Sequence, residues 1–244
     1  MESHLKTYLS AALLSLVIPI YGQDRQQPRL QWGAYAQGGA ALFLNQYHYD
    51  RELYHFPPGI HVRAGSLTAW KPAPFHRLIL ETVVDHTQIR FTATGYNNNW
   101  SSIRCSQWSI GAGIHYRIAV PRLPRFWIQA GLQQRYRLNP EAVTLTASRH
   151  SNDNNVREVL AAVYTGTLRR WETSVPVTAG YYLDKQHRHE LALFAGAGIS
   201  RMFQKGREAF MRHSFTFADG TAAGFSAHIN GISIPLGVRY ACWF

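Results

Sequence analysis

Long apolar segments are scarce in this sequence of 244 residues. The longest, Leu9 to Ile20, is interrupted by Ser10, Ser15 and Pro19, and it is shorter than the roughly 20 apolar residues that a membrane-spanning helix needs. Every later apolar stretch alternates with polar residues or contains Arg, Glu or Gly. The sequence therefore predicts no membrane helix, and its length allows one domain.

The N-terminus has the order of features that is typical of a secretory signal peptide. Lys6 precedes the apolar stretch, and Tyr21-Gly22-Gln23-Asp24 follow it. We predict a signal peptide over residues 1–22, cleaved near Gly22 or Gln23, and a mature domain over residues 23–244. The alternative is a buried N-terminal helix. No cysteine stands at the expected cleavage point, which argues against a lipoprotein anchor.

Cysteines and metal-binding motifs are also scarce. The chain has 2 cysteines and 12 histidines, but no His pair at i, i+4 with a Glu and no Cys–His cluster. Both patterns are typical of zinc sites. The sequence therefore predicts neither a metal site nor a cofactor.

The C-terminal residues alternate strictly between two kinds of side chain. One face carries the apolar set Ile232, Ile234, Leu236, Val238, Tyr240, Cys242 and Phe244, and the other carries Gly231, Ser233, Pro235, Gly237, Arg239 and Ala241. A period of two predicts a β-strand. An apolar outer face and an aromatic C-terminal residue are typical of the closing strand of a bacterial outer-membrane barrel. Tyr240 and Phe244 are therefore predicted to form the assembly signal.

Eight segments of this alternating kind are bounded by Gly, Pro, Asn and Asp. They cover residues 30–47, 59–70, 76–93, 106–120, 125–138, 170–183, 189–203 and 225–244. In the third segment the apolar parity changes near Asp85 to Gln88, which predicts a bulge or a wrong boundary. Aromatic residues cluster near both ends of the segments, as in the interfacial girdles of membrane barrels.

The links between the segments alternate in length. The short links are 71–75, 121–124 and 184–188, and the long links are 49–58, 95–102, 139–169 and 204–224. Short periplasmic turns and long external loops characterise transmembrane barrels. We predict an all-β, antiparallel up-and-down barrel of eight strands in the bacterial outer membrane, with both termini periplasmic. Ten strands remain an alternative, because the 139–169 link is long enough for another hairpin.

Two segments share an unusual motif. Val175-Pro176-Val177 and Ile234-Pro235-Leu236 each place a proline on the predicted inner face of a strand, with a tyrosine several residues further on. Together with the Gly-Gln at the end of the signal and the terminal aromatic residue, these motifs make the chain resemble the small outer-membrane β-barrel family of Bacteroidota. The resemblance implies a barrel of eight to ten strands and no catalytic residues.

The predicted inner face carries charges of both signs, namely Glu81, Asp85, Arg117, Arg135, Glu172, Glu190 and Arg239. An eight-stranded barrel is just wide enough for side chains to fill, and unpaired charges there are costly. We therefore predict a plugged lumen held by ion pairs, with a gated ion path as the alternative. Cys105 and Cys242 fall at opposite rims, too far apart for a disulfide, and are predicted to be free thiols.

The loops and the net charge of +11 suggest partners. Attraction to lipopolysaccharide phosphates or acidic glycans is one interpretation, and scattered lumen and loop charge without a specific ligand is the other. The candidate binding residues in the loops are Arg149, His150, Arg157, Lys205, Arg207 and Arg212. Expected partners are outer-membrane lipid and lipopolysaccharide, the barrel-assembly machinery and another envelope protein, but not nucleic acid.

Four functional hypotheses remain open at the level of sequence. The first is a structural, surface-binding or envelope-complex role for a plugged barrel, and the second is a narrow pore. The third is a lipid-modifying enzyme using Arg212-His213-Ser214 and Asp219, although adjacent strand residues point to opposite faces and so disfavour a shared proton. The fourth is a soluble lipocalin-like barrel, which would need an apolar interior.

Overall fold

In a computed structural model the chain is an all-β protein. The structure describes residues 30–45, 54–73, 75–94, 100–139, 157–163, 168–204, 209–217 and 219–244. The predicted signal peptide and four of the loop candidates, Arg149, His150, Lys205 and Arg207, lie outside these residues. No helix in the described segments is long and apolar enough to cross a membrane.

The described residues form twelve strands. They are β1 (Leu30–Asn45), β2 (Tyr54–His55), β3 (Gly59–Ala73), β4 (His76–Thr94), β5 (Trp100–Val120), β6 (Leu123–Arg137), β7 (Arg157–Val163), β8 (Trp171–Tyr182), β9 (His189–Gly198), β10 (Ala209–Thr216), β11 (Ala222–Ile229) and β12 (Gly231–Trp243).

Eight of these strands close into an antiparallel barrel. Around it the order is β4, β3, β1, β12, β9, β8, β6 and β5, and β5 pairs back onto β4. The first strand pairs with the last from Gly33 opposite Trp243 to Asn45 opposite Gly231. The predicted eight-stranded barrel is therefore confirmed. The described part of the 139–169 link adds no barrel strand, because β7 joins β10 and β11 in a separate three-stranded sheet.

The register of the strands fixes the width of the barrel. Directly opposed residues can be followed from strand to strand around the barrel, starting at Gly33 of β1. In one direction they run through Leu67, Glu81, Gly113, Gln133 and Ser174 to Gly198 of β9. In the other direction Gly33 is opposite Trp243, whose backbone N–H donates to the carbonyl of Arg188, so that β9 is reached at position 188 instead of 198, a shift of ten residues. With ~3.3 Å per residue and ~4.8 Å between strands, this shift gives a strand tilt of about 41° and a backbone radius of about 8 Å.

The two faces of the barrel have opposite character. Apolar side chains cover the outside, where Leu193 is 68% exposed. The other exposed apolar residues include Leu80, Val84, Ile114, Ile128, Leu132, Val177, Leu191, Leu236 and Val238. Arginines, glutamines and carboxylates face the inside and are buried. This arrangement is the one a lipid-spanning barrel needs and the reverse of the apolar interior of a lipocalin.

The two strand prolines both occupy inward-facing positions. Pro176 lies in β8 between the buried residues Ser174 and Thr178, and Pro235 is itself buried in β12. The pairing of β6 with β8 skips two positions beside Pro176, passing from Ala130–Val177 to Gln133–Ser174. The missing proline N–H accounts for this gap, because proline cannot donate to a ladder.

The predicted bulge near Asp85 is wrong. β4 pairs with β5 without interruption from His76 opposite Ile118 to Thr94 opposite Trp100. The apparent change of parity arises because the inner face turns apolar toward the loop side, where Ile89 and Phe91 are buried.

Two further expectations need correction. The predicted segment 225–244 is divided at Asn230 between β11, which pairs with β10, and the barrel strand β12. Three of the aromatic residues near the ends of the alternating segments, Phe91, Phe203 and Trp243, are almost fully buried and so do not belong to an interfacial girdle. Period-two alternation gives the face of a residue only when the phase of its strand is known, and aromatic rings suit a packed lumen as well as a lipid interface.

Candidate functional site in the barrel lumen

The lumen contains three groups of polar side chains, which lie at successive levels from the short turns to the long loops. The turn-side cluster comprises Arg117, Gln129, Tyr182, Glu190 and Trp243. The central cluster comprises Tyr35, Glu81, His115 and Arg239. The loop-side cluster comprises Arg63, Asp85, Arg135, Arg137 and Glu172.

The turn-side cluster is centred on Arg117, which is almost completely buried. Its guanidinium donates to both carboxylate oxygens of Glu190, at 2.6 and 3.0 Å. It also donates twice to Gln129 Oε1, at 2.9 and 3.0 Å. The guanidinium stacks 3.6 Å from the centroid of the Trp127 ring, and Trp243 Nε1 donates to Glu190 at 3.1 Å. Each charge in this cluster therefore has a partner, as burial of an ion pair requires.

The central cluster is built around Glu81. Its carboxylate accepts a hydrogen bond from the Tyr35 hydroxyl and lies 2.5 Å from His115 Nε2. The guanidinium of Arg239 lies over the Tyr35 ring, 4.2 Å from its centroid. Glu81 and Tyr35 belong to β4 and β1, which are separated by β3, so this contact joins strands that are not neighbours.

The loop-side cluster links two carboxylates with three guanidinium groups. Arg135 reaches Asp85 at 3.3 Å and Glu172 at 2.8 Å, and Arg137 contacts the other Glu172 oxygen at 2.7 Å. Arg63 lies 3.6 Å from Asp85. Charge-assisted hydrogen bonds of this kind are stronger than neutral ones.

Above this cluster the loop side is narrowed by aromatic rings and by backbone contacts. The rings of Phe43, Phe56 and Phe91 contact one another with centroids 5.4 to 5.7 Å apart. Arg137 also donates to the carbonyl oxygens of Arg169 and Met202, at 2.8 and 3.1 Å. These contacts tie the segments before β8 and after β9 to the top of β6.

All seven lumen charges that we named from the sequence are buried inside the barrel. Five of them form ion pairs, Glu81 contacts the imidazole of His115 and the hydroxyl of Tyr35, and Arg239 is positioned against an aromatic ring. Tyr240 and Phe244 lie on the outer face, with Phe244 79% exposed. Of the loop candidates, Arg157 lies in β7 and Arg212 in β10, but their side chains are outside the described part of the structure.

Sequence reasoning missed several members of the clusters. Arg63, Arg77 and Arg137 are buried in the lumen, and His115 contacts Glu81. Parity within β5 already placed His115 on the inner face. Arg63 lies in the predicted segment 59–70 and Arg77 in the segment 76–93, where the apolar alternation is weaker and parity alone assigns the face poorly.

The described lumen carries an excess of positive charge. Six arginines are buried there, Arg63, Arg77, Arg117, Arg135, Arg137 and Arg239, against the four carboxylates Glu81, Asp85, Glu172 and Glu190. Among the described residues no group of three or more His, Cys, Asp or Glu side chains could hold a metal ion. Cys242 is a free thiol, and the Cys105 side chain lies outside the described set.

The residues of the enzyme hypothesis lie in the separate sheet. His213 and Ser214 are consecutive in β10, opposite Phe225 and Gly224 of β11. Asp219 lies in the turn between these strands, where its carboxylate accepts hydrogen bonds from the backbone and the hydroxyl of Thr221. Asp219 is thus engaged in shaping the turn.

Comparison with known proteins gives structural likenesses only. No family model and no curated protein matches the chain, so the resemblance to a family of Bacteroidota stays a prediction. Solved structures that match include the outer membrane protein OprG from Pseudomonas aeruginosa, at 9% identity and a TM-score of 0.33, covering 87% of this chain and 93% of that one. The translocator domain of the autotransporter NalP from Neisseria meningitidis matches at 8% identity and 0.37, covering 99% and 95%. The outer membrane protease OmpT from Escherichia coli matches at 10% identity and 0.34, covering 91% and 99%.

The fold is established by the strand pairing of the chain itself. Its eight strands close with the first next to the last, its outer surface is apolar and its interior is charged. These are the features of a transmembrane β-barrel, in which every backbone group is paired and lipid meets only apolar side chains. The chain is an eight-stranded antiparallel β-barrel of the membrane-spanning type.

Proposed function

We propose that this protein is an outer-membrane anchor with a closed lumen, and that its loops bind anionic molecules at the cell surface. The observation that carries the first part is the set of contacts that cross the lumen. Arg117 of β5 holds Glu190 of β9 although β6 and β8 lie between these strands. A side chain that reaches across the lumen and is fixed by a carboxylate obstructs the path of a solute.

The dimensions of the barrel support a closed lumen. A backbone radius of about 8 Å leaves room for little more than the inward side chains. Three levels of this space are occupied by the clusters, and the aromatic rings of Phe43, Phe56 and Phe91 lie above them. A solute would have to displace several buried ion pairs, each of which is costly to break.

The position of the strands supports the proposed orientation. β1 begins at Leu30 and β12 ends at Trp243, and both ends lie beside the short turns. The separate sheet of β7, β10 and β11 arises from the long links on the opposite side. If the turns face the periplasm, as in outer-membrane barrels, both barrel ends are periplasmic and the separate sheet is at the cell surface.

The basic residues of the last long link support an anionic surface partner. Residues 204–224 contain Lys205, Arg207 and Arg212 against Glu208 and Asp219, whereas the other three long links carry no net positive charge. Lipopolysaccharide phosphates and acidic glycans are anions that these basic residues would attract.

Single-cysteine labelling of intact cells tests the orientation. In a cysteine-free background, Ala222→Cys places a thiol at the exposed start of β11, and Lys185→Cys places one in the exposed β8–β9 turn. A membrane-impermeant maleimide is expected to label Ala222→Cys in intact cells and Lys185→Cys only after the outer membrane is permeabilised. The opposite pattern would overturn the proposed orientation.

A narrow pore is the second candidate, favoured by polar atoms inside the barrel. Within the described residues, the side-chain amide of Gln133 and the Nε and Nη2 atoms of Arg239 are buried and have no protein hydrogen-bond partner, and buried polar atoms of this kind are usually satisfied by internal water. With an excess of arginine, such a pore would favour anions. Swelling of proteoliposomes in solutions of small neutral and anionic solutes separates the candidates, because a closed barrel gives the swelling rate of empty vesicles.

A further inference from the structure

A small pocket lies beside the turn-side cluster and shares Arg117 and Tyr182 with it. Its volume is about 100 Å³, and it is lined by Phe75, Arg77, Arg117, Ala119, Pro124, Tyr182 and His187. At ~30 Å³ per water molecule this is space for a few waters, and hence for a phosphate or a carboxylate group.

Arg77 gives the pocket its chemical character. It is buried, and its hydrogen bond within the described residues is a long one, 3.3 Å to Gln31 Oε1. Its guanidinium lies over the rings of Tyr182 and Trp243, 5.2 and 5.8 Å from their centroids. The carboxylate of Glu190 is already bound by both Arg117 and Trp243. No described carboxylate forms an ion pair with Arg77. A buried guanidinium without a counter-ion is costly, and an anion in the pocket would remove that cost.

His187 also lines the pocket and has an unusual backbone conformation. Its φ angle is 59°, in the left-handed region that residues other than glycine rarely adopt. Its ring stacks on Tyr182, with the centroids 4.3 Å apart and the planes inclined by 11°. The turn is held by Asp184, whose carboxylate accepts hydrogen bonds of 2.8 Å from the backbone N–H groups of Arg188 and His189. Strained residues held in this way are concentrated at binding sites.

The electrostatic environment of His187 is consistent with an anion site. Burial, and then the positive charges of Arg77 and Lys71, lower the pKa of His187. The positive charges of Arg77 and Lys71 near His187 would attract an incoming anion.

We propose that this pocket binds a small anion, a phosphate or carboxylate group, with the Arg77 guanidinium as the principal donor and the rings of Tyr182 and His187 as its walls. The anion enters from the side of the short turns. The site is independent of the surface role proposed for the loops, because it lies at the other end of the barrel. The phosphate or carboxylate group bound in this pocket belongs either to a soluble ion or to the headgroup of a lipid at the turn-side end of the barrel.

The test is a titration of the folded protein in detergent micelles, with the backbone amide of His187 followed by NMR. Inorganic phosphate and acetate are the probes, and sodium chloride at equal ionic strength is the reference. Arg77→Gln removes the proposed donor. Arg122→Gln is the matched control, because it removes the same charge from the exposed turn between β5 and β6. Electrophoretic mobility with and without boiling shows that each variant is folded.

A saturable shift of His187 is expected with phosphate or acetate in the wild type and in Arg122→Gln. In Arg77→Gln the affinity is expected to fall at least about tenfold, since the lost hydrogen bonds involve a charged donor. Micelles containing phosphatidylglycerol form a second arm. A shift that appears only there assigns the site to a headgroup phosphate and supports the anion chemistry. The absence of a saturable shift in both arms of the wild type overturns the proposal, and so does unchanged affinity in a folded Arg77→Gln.

Discussion

Replacing Glu190 with glutamine is expected to destabilise the barrel strongly. The side chain of Glu190 is 0% exposed and accepts hydrogen bonds of 2.6 and 3.0 Å from Arg117 and of 3.1 Å from Trp243. The substitution keeps the shape but leaves the Arg117 guanidinium buried without a counter-charge. Removing one partner of a buried ion pair costs about 3–5 kcal/mol, so we expect the free energy of unfolding to fall by about this amount.

A double-mutant cycle distinguishes the ion pair from a general packing effect. Arg117→Met alone leaves the carboxylate of Glu190 uncompensated and should cost about the same as Glu190→Gln. The double variant removes both charges and is expected to cost no more than about 2 kcal/mol, because a buried pair replaced as a whole is often neutral. This gives a coupling free energy of at least about 4 kcal/mol.

Equilibrium urea unfolding in phospholipid vesicles, followed by tryptophan fluorescence, measures all four proteins of the cycle. The reasoning is refuted if Glu190→Gln lies within about 1 kcal/mol of the wild type, or if the effects of the two substitutions simply add.

Further predictions concern the other levels of the barrel and its ends. Glu172→Gln removes the carboxylate that binds the guanidinium groups of Arg135 and Arg137 in the loop-side cluster, and it should raise the permeation of small anions in a proteoliposome swelling assay. An unchanged swelling rate would show that this cluster does not obstruct the lumen. In Gly180→Ala the new Cβ would clash with the inward ring of Trp127, whereas at Gly38 nothing lies within 4 Å of the added atom. Urea unfolding should show a cost of about 1–3 kcal/mol for Gly180→Ala and little for Gly38→Ala, and equal costs would contradict the packed lumen. Hydrogen bonds from backbone N–H groups, first that of His189, lower the pKa of Asp184, so its carboxylate stabilises the fold above its unfolded-state pKa and this contribution is lost as the pH falls through the folded-state pKa. The urea midpoint of Asp184→Asn should therefore be lower than that of the wild type at neutral pH and equal to it in acid. A difference that persists in acid would contradict this. Phe244→Ala should lower the amount of heat-modifiable barrel in isolated outer membranes, and an unchanged amount would exclude an assembly role for this residue.

Much of the architecture could be predicted from the sequence because a barrel of this kind repeats one pattern. In β5, Trp108, Ile114 and Tyr116 face outward, while His115 and Arg117 face inward, as strict alternation requires. The alternation of short and long links then indicated both the strand count and the antiparallel order.

The failures occurred where the inner face is itself apolar. Near Ile89 and Phe91 the strand continues in register, but its buried residues are apolar and the residues that alternate with them, Gln88 and Arg90, are polar. Trp243 follows the same logic, since its ring is buried and its Nε1 donates to Glu190. A pattern of hydrophobicity cannot distinguish a packed lumen from a lipid interface.

Partners across the lumen could not be predicted either. The opposition of Arg117 and Glu190 depends on the tilt and shift of the strands, which alternation does not encode. The pocket at Arg77 depends in addition on the left-handed conformation of His187, for which the sequence gives no local signal. Charge composition predicted that pairs would form, and the register decided which ones.

Conductance in a planar lipid bilayer tests the central claim most directly. Purified protein, shown to be folded by its shift in electrophoretic mobility on boiling, is inserted at low density and held at a series of voltages. A lumen closed by the three clusters predicts that the wild type adds no stable conductance above that of the bare membrane. A reproducible, ohmic single-channel conductance of the wild-type protein would contradict the closed lumen and would favour the narrow pore.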